Sequence, residues 1–223
     1  MPLKGRWTRP FGPFTTAEEV ARDVDLSGKT ALVTGGASNL GRETVRVLAS
    51  RGADVIVPAR GADSARRALS GIPRVEVIPM DLLDPASIRD FADGFLAGHR
   101  SLDLLILSAG VMATPLFRDA EGHEGQFATN HLGHFRLTAA LWPALRAVNG
   151  ARVVVLCSRG HRHGGQTTED KENGPIMSGV SLIVVEEPAV SLARLDLIGD
   201  REQPPALNRI EAGRAGEPAE FEP

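Results

Sequence analysis

The chain has 223 residues, 42% of them hydrophobic and 24% charged, with a formal net charge of −3. That length suits one globular domain, and the faint acidity gives no basic footprint for nucleic acid. Its one cysteine, Cys157, leaves no partner for an internal disulfide and no thiolate metal cluster.

In chain order, residues 1–25 read as a lead-in. Pro10 and Pro13 interrupt regular structure, and Thr15 or Thr16 can cap a short helix through TAEEVARDV. No apolar run follows the basic start as a signal would require, and none reaches bilayer length, so a cytoplasmic placement without a membrane span is expected. Thr30–Thr34 is an apolar strand that runs into a glycine-rich turn. Leu40–Arg51 follows at helical spacing, with Leu40, Val45, Leu48 and Ala49 predicted as the buried stripe and Gly52 as the stop.

Ala53–Ala59 and Val75–Met80 read as the second and third strands. Asp84 and Pro85 open a helix to about Leu96. Leu102–Ser108 is the fourth strand, a long helix covers roughly 122–148, and Ala151–Cys157 is the fifth strand. In the long helix Leu132, Phe135, Leu137, Leu141 and Leu145 are expected to pack into the core. Apolar strands alternating with helices predict a parallel sheet covered on both faces, the doubly wound, Rossmann-type α/β fold, over residues 26–165.

Beyond Gly165 the composition shifts, and residues 166–223 read as an atypical, partly disordered tail. Val180–Val185 offers a sixth strand and 190–198 an element of either kind; 199–223 is rich in proline and glutamate.

The turn after the first strand, Thr34-Gly35-Gly36-Ala37-Ser38-Asn39-Leu40-Gly41, has the shape of a phosphate cradle. Helix-terminal N–H groups there can receive a pyrophosphate. Gly35 permits the sharp turn and Gly41 close packing of the helix. Asn39 stands where a third glycine is usual, and asparagine tolerates positive φ best among the other residues. Gly35, Ser38, Asn39, Leu40 and Gly41 are therefore candidate cofactor contacts, against the plainer reading of a glycine-rich loop without a ligand. Arg60 ends the second strand, where a basic residue favours a 2′-phosphate and hence NADP over NAD; nearby Asp63 weakens that preference. NAD stays open. His131, His134, His161 and His163 supply the number of ligands for a zinc site but not convincing spacing, and no metal is expected.

Several motifs occur in a set order: TGGASNLG at 34–41, Asp81-Leu82, SAGVM at 108–112, NHLGHF at 130–135 and VVVLCSRGH at 153–161. Together they resemble the short-chain dehydrogenase/reductase family, and NHLGHF resembles the branch of retinol dehydrogenases and WW-domain oxidoreductases. The resemblance implies that Asp81 bonds the adenine amino group with Leu82 beside it. It implies that Ala109 and Gly110 line the adenine-ribose channel, preceded here by Leu107 and Ser108 where the family often has two asparagines. Asn130 matches the asparagine that holds a water in the family's proton relay, and Ser158 the serine that bonds the substrate carbonyl. The implied substrate is a small alcohol or carbonyl compound.

The resemblance also implies a tyrosine four residues before a lysine, as proton donor and its pKa-lowering cation. The chain has no tyrosine, and its only lysines are Lys4, Lys29 and Lys171, the last preceded at that spacing by Thr167. His161 and His163 follow Ser158 and are weak candidates to carry the proton instead. The expected outcome is an oxidoreductase by resemblance that binds NADP with little turnover. Alternatives are a non-catalytic NADP-binding or regulatory protein, or a frameshifted fragment. A homo-oligomer is compatible, but the family's dimer face pairs the long helix with one that has no counterpart here, which compromises that interface.

Overall fold

Five parallel strands form the central sheet: β1 (Thr30–Thr34), β2 (Asp54–Ala59), β3 (Val75–Pro79), β4 (Leu104–Leu107) and β5 (Arg152–Val155), in the order β3-β2-β1-β4-β5. The computed structural model describes residues 11–12, 14–98, 101–112, 114–156, 184–186 and 189–191. Sheet order and parallel pairing match the doubly wound α/β class expected from the alternation of strands and helices.

The sheet has apolar layers on both faces, which is why β1 and β4 are continuously hydrophobic. Leu32, Leu105 and Leu107 pack with Ile88, Phe91, Leu137 and Leu141 from the helices α4 (Pro85–Ala97) and α6 (His134–Arg146). Val33, Val55, Val57 and Ile106 pack with Val45 and Ala49 of α2 (Asn39–Ser50). At the amino end of the sheet Asp103 is buried. It takes the Lys29 ammonium at 2.9 Å and the Thr30 N–H at 2.9 Å, so β1 and β4 are joined by a charged clamp as well as by their ladder.

Local signals explain most helix boundaries. Thr16 and Glu19 form a reciprocal capping box at α1 (Ala17–Val20), which is shorter than the sequence pattern suggested. Asp84 accepts from the Ala86 N–H at 2.8 Å, and Pro85 occupies the first turn of α4. Gly52 follows α2 with φ +97.

Four expectations need correction. Leu40 is 71% exposed rather than part of the α2 stripe, because it lies in the first turn, beyond the sheet; Val47 is buried instead. A short helix, α3 (Ala62–Ala68), was not anticipated. It buries only Ala65, so it carries no apolar stripe, and it places Asp63 in its first turn and Arg66 and Arg67 in its last, where they complement the helix dipole. The predicted helix at 122–148 starts later, with α5 (Gly125–Phe127) running through a π-helical turn (Ala128–Gly133) into α6. Glu124 caps this start by accepting from the N–H groups of Gln126 and Phe127. Phe135 is 67% exposed, since it precedes Leu137 by two residues and so lies more than half a turn around the helix.

In place of a sixth parallel strand, β6 (Val184–Glu186) pairs antiparallel with β7 (Ala189–Ser191) as a separate two-stranded sheet. The two strands are joined too closely in sequence for a parallel crossover.

Candidate functional site

β1 and β4 are neighbours, but the chain continues from β1 toward β2 on one side and from β4 toward β5 on the other. Their carboxyl ends border a crevice that neither crossover covers, the usual ligand position in such sheets. β1 delivers Thr34 and Gly35 to it, and β4 delivers Ser108, Ala109 and Gly110.

Gly35 has φ +68, and a Cβ on it would lie 2.8 Å from the Ala109 Cα, so the turn and the close approach both require glycine. At Gly41 a Cβ would run into the Gly35 carbonyl, which fixes how near α2 comes to the turn. Asn39 has φ +45, the left-handed conformation expected of it as a glycine substitute. Ser38 stands extended as N-cap without a side-chain cap bond. As a result the N–H groups of Asn39, Leu40 and Gly41 have no acceptor among the described residues. Ser38, Asn39 and Leu40 are exposed at this mouth. Unclaimed amides at the start of a 12-residue helix are a ready anion site.

Further along the same sheet edge, Arg60 follows β2. It is exposed and forms no ion pair with another described residue. Asp63, which sequence proximity set against it, instead pairs with Arg66 at 2.7 Å. Asp81 follows β3, and one carboxylate oxygen accepts the Leu83 N–H at 3.0 Å, which holds the side chain in a local turn. Leu82 is buried in the core, and Gly133 packs so tightly on it that a Cβ there would collide with the Leu82 carbonyl.

Behind the crevice a chain of hydrogen bonds crosses four segments. The Thr34 hydroxyl oxygen accepts the N–H groups of Ser108 and Ala109, each at 3.0 Å. The same oxygen lies 2.9 Å from His134 Nε2, and His134 Nδ1 lies 2.9 Å from the Asn130 carbonyl oxygen. The Asn130 side chain clamps Val111, accepting its N–H and donating to its carbonyl, both at 2.8 Å. Gly110 lies over that amide, a Cβ there falling 3.4 Å from Asn130 Oδ1. Burial lowers the His134 pKa below the usual histidine value; the Asn130 carbonyl opposes the shift, and the charge of His131 adds to it.

Gly35, Ala109, Gly110 and Asn130 are thus brought together, with Ser38, Asn39, Leu40 and Gly41 at the adjoining helix mouth. Arg60 and Asp81 stand at the ends of the next two strands. Ser158, with His161, His163 and Lys171, lies outside the described residues. Thr34 is not singled out from sequence, and His134 is weighed there only as a zinc ligand. The available signal was a histidine four residues after Asn130, one helical turn on. His131 does not join it as a metal ligand: His131 is exposed and stacks on Phe127 at 5.3 Å, whereas both His134 nitrogens are engaged internally. Asp119, Glu121 and His123 bring potential ligand atoms within 4.8 Å of one another. Asp119 there accepts the N–H groups of Glu121 and His123 and faces His123 Nδ1, and Glu121 pairs with Arg136, so the loop satisfies its own charges.

Sheet order, glycine turn and crevice define a doubly wound, Rossmann-type α/β protein. A family model described as short chain dehydrogenase matches residues 29–168, and the chain belongs to that family of oxidoreductases. It is 47% identical over 145 residues to a probable oxidoreductase of Streptomyces antibioticus, which covers 62% of this chain and 48% of that protein. It is 44% identical over 148 residues to retinol dehydrogenase 12 of Bos taurus, covering 64% of this chain and 47% of that protein. Among solved structures, the Pseudomonas aeruginosa RhlG/NADP active-site complex matches with TM-score 0.52 and 31% identity, over 60% of this chain and 56% of the other. The chain spans about half the length of the curated relatives it matches. No helix among the described residues is long and apolar enough to cross a membrane.

Proposed function

We propose that this chain binds NADP in the crevice between β1 and β4, as an oxidoreductase-derived protein whose substrate class is a small alcohol or ketone. The observation that carries the reading is the helix mouth: three amide donors at Asn39, Leu40 and Gly41 with no acceptor among the described residues. A phosphate is the group they suit. Arg60, exposed and unpaired among its described neighbours, favours the 2′-phosphate of NADP over NAD. Asp81 is held by its bond to Leu83 with carboxylate capacity left for an adenine amino group. The NADP complex of the Pseudomonas aeruginosa relative agrees with this choice. The single cysteine suits a reducing cytoplasm.

Bound there, the nucleotide would supply or accept hydride at the substrate carbon. The substrate oxygen must exchange a proton in the same event, and the chain has no tyrosine to do so. By the family resemblance, Ser158 would hydrogen-bond the substrate oxygen. Asn130 retains one amide N–H and a carbonyl lone pair beyond its bonds to Val111 and His134, enough to hold a water. Without a positioned acid, turnover falls by about 10²–10⁴-fold. The missing phenol also favours a second reading, a non-catalytic NADP-binding or regulatory protein. Fluorescence titration with NADPH and NADH tests the binding claim, and no binding of either refutes it. Assay against a panel of ketones separates the two readings: slow turnover supports the first and none the second, while full family-like rates overturn the claim of impairment.

A further inference from the structure

We infer that His134 is a positioning residue for the crevice: a neutral imidazole protonated on Nδ1, which sets the direction of the Thr34 hydroxyl and through it the wall formed by Ser108–Val111. The inference rests on the reading of that crevice as the nucleotide site.

A carbonyl oxygen only accepts, so the 2.9 Å contact with the Asn130 carbonyl requires hydrogen on Nδ1. In the neutral ring Nε2 is then a bare acceptor. The Thr34 hydroxyl, 2.9 Å away, must give its one hydrogen to Nε2. Its two lone pairs then face the N–H groups of Ser108 and Ala109. The hydroxyl's hydrogen, its two lone pairs and both ring nitrogens are each used once. With the proton on Nε2 instead, Nδ1 would face a carbonyl lone pair, and Thr34 Oγ1 would meet three donors while its own hydrogen found no acceptor. One protonation state satisfies four segments at once: the end of β1, the loop after β4, the π-helical turn and the start of α6. His134 is only 4% exposed, so it acts through Thr34 rather than on a molecule in the crevice.

The test uses the full 223-residue chain. Imidazole ¹⁵N spectra of the parent at neutral pH should show His134 with a protonated Nδ1 and a bare Nε2. A proton on Nε2, or a cationic ring, overturns the inference. Two substitutions give a second readout. His134→Gln keeps an acceptor near the position of Nε2, whereas His134→Asn keeps only a donor near that of Nδ1. His134→Gln should hold NADPH within about threefold of the parent and His134→Asn should weaken it by about tenfold or more. Equal effects of the two, or the reverse order, count against it. If His134→Asn does not fold, the ¹⁵N spectra of the parent decide. If the parent binds no nicotinamide nucleotide, the proposed function fails by itself. The spectra, with hydrogen exchange at Ser108 and Ala109 in His134→Gln, still decide the role of His134: protection kept supports it and protection lost refutes it.

Discussion

Thr34 and His134 are 100 residues apart in the chain and 2.9 Å apart in the fold. Their contact joins the last residue of β1 to the first of α6. Because Thr34 also accepts the Ser108 and Ala109 amides, the strand end, the helix start and the crevice wall share one small polar cluster.

Thr34→Val keeps the shape and removes the hydroxyl, leaving two amides without their acceptor and His134 without its donor. The expected loss is about 3 kcal/mol of folding stability, since each buried unsatisfied group costs about 1–3 kcal/mol. Thr34→Ser should recover most of it. Urea unfolding of the three proteins measures the difference. A Thr34→Val midpoint equal to the parent's would mean that these hydrogen bonds contribute nothing net.

His134 also gives a pH dependence of known sign. Its pKa in the folded chain is lowered by burial from an ordinary value of 6.5. As pH falls below that value the unfolded chain takes up the proton before the folded one does. The contribution of His134 is therefore complete above about pH 6.5 and declines toward the folded-state pKa below it. Urea midpoints from about pH 8 to about pH 5 should fall more steeply for the parent than for His134→Gln, which has no imidazole to titrate. Parallel curves would show that His134 binds protons equally in both states.

The five strands and the helices α2 and α4 were legible because each combines an apolar period with a terminal signal: glycine after β1 and α2, Asp84-Pro85 before α4. α3 was not, since a helix that buries only Ala65 leaves no period to read. The glycine turn was legible down to the positive φ of Asn39. The Thr34–His134 contact was not. Pairing a hydroxyl with an imidazole across 100 residues depends on how α6 sits on the sheet, which no local pattern encodes. The exposure of Phe135 was readable from its offset to Leu137, and grouping it with the leucines overlooked that offset.

At the opposite end of the sheet, Asp103→Ala removes the partner of Lys29 and the acceptor of the Thr30 N–H. The expected cost is about 2 kcal/mol, dominated by the orphaned amide, because Lys29 is half exposed and can turn to water. Lys29→Met should therefore cost less than Asp103→Ala. Denaturant midpoints for both rank them, and a larger loss for Lys29→Met would put the weight on the ion pair.

Gly133, at the end of the π-helical turn, packs directly on the backbone of Leu82 in the segment after β3. Gly133→Ala drives a Cβ into the Leu82 carbonyl, and backbone cannot move aside as a side-chain tip can. The expected loss is about 1–3 kcal/mol, in the range of overpacked interiors. Gly94→Ala, in α4 with open space around its Cβ, is the control and should be neutral or slightly stabilising. Equal melting temperatures for the two variants would contradict the close approach.

Arg60 offers the sharpest separation of binding from folding. It is exposed, follows β2 directly, and pairs with no described residue, so Arg60→Ala should leave the unfolding midpoint unchanged. A guanidinium on a 2′-phosphate makes charge-assisted hydrogen bonds worth about 1.5–3 kcal/mol, so NADPH affinity should fall by about tenfold or more. NADH lacks that phosphate, and its affinity should stay within about twofold. The discriminating quantity is the ratio of the two dissociation constants, because any general disturbance of the crevice moves both together. Asp63, held by Arg66 on α3, should not matter to the ratio. A drop in NADH binding as large as that in NADPH binding would remove Arg60 from the 2′-phosphate and leave the preference for NADP without its residue.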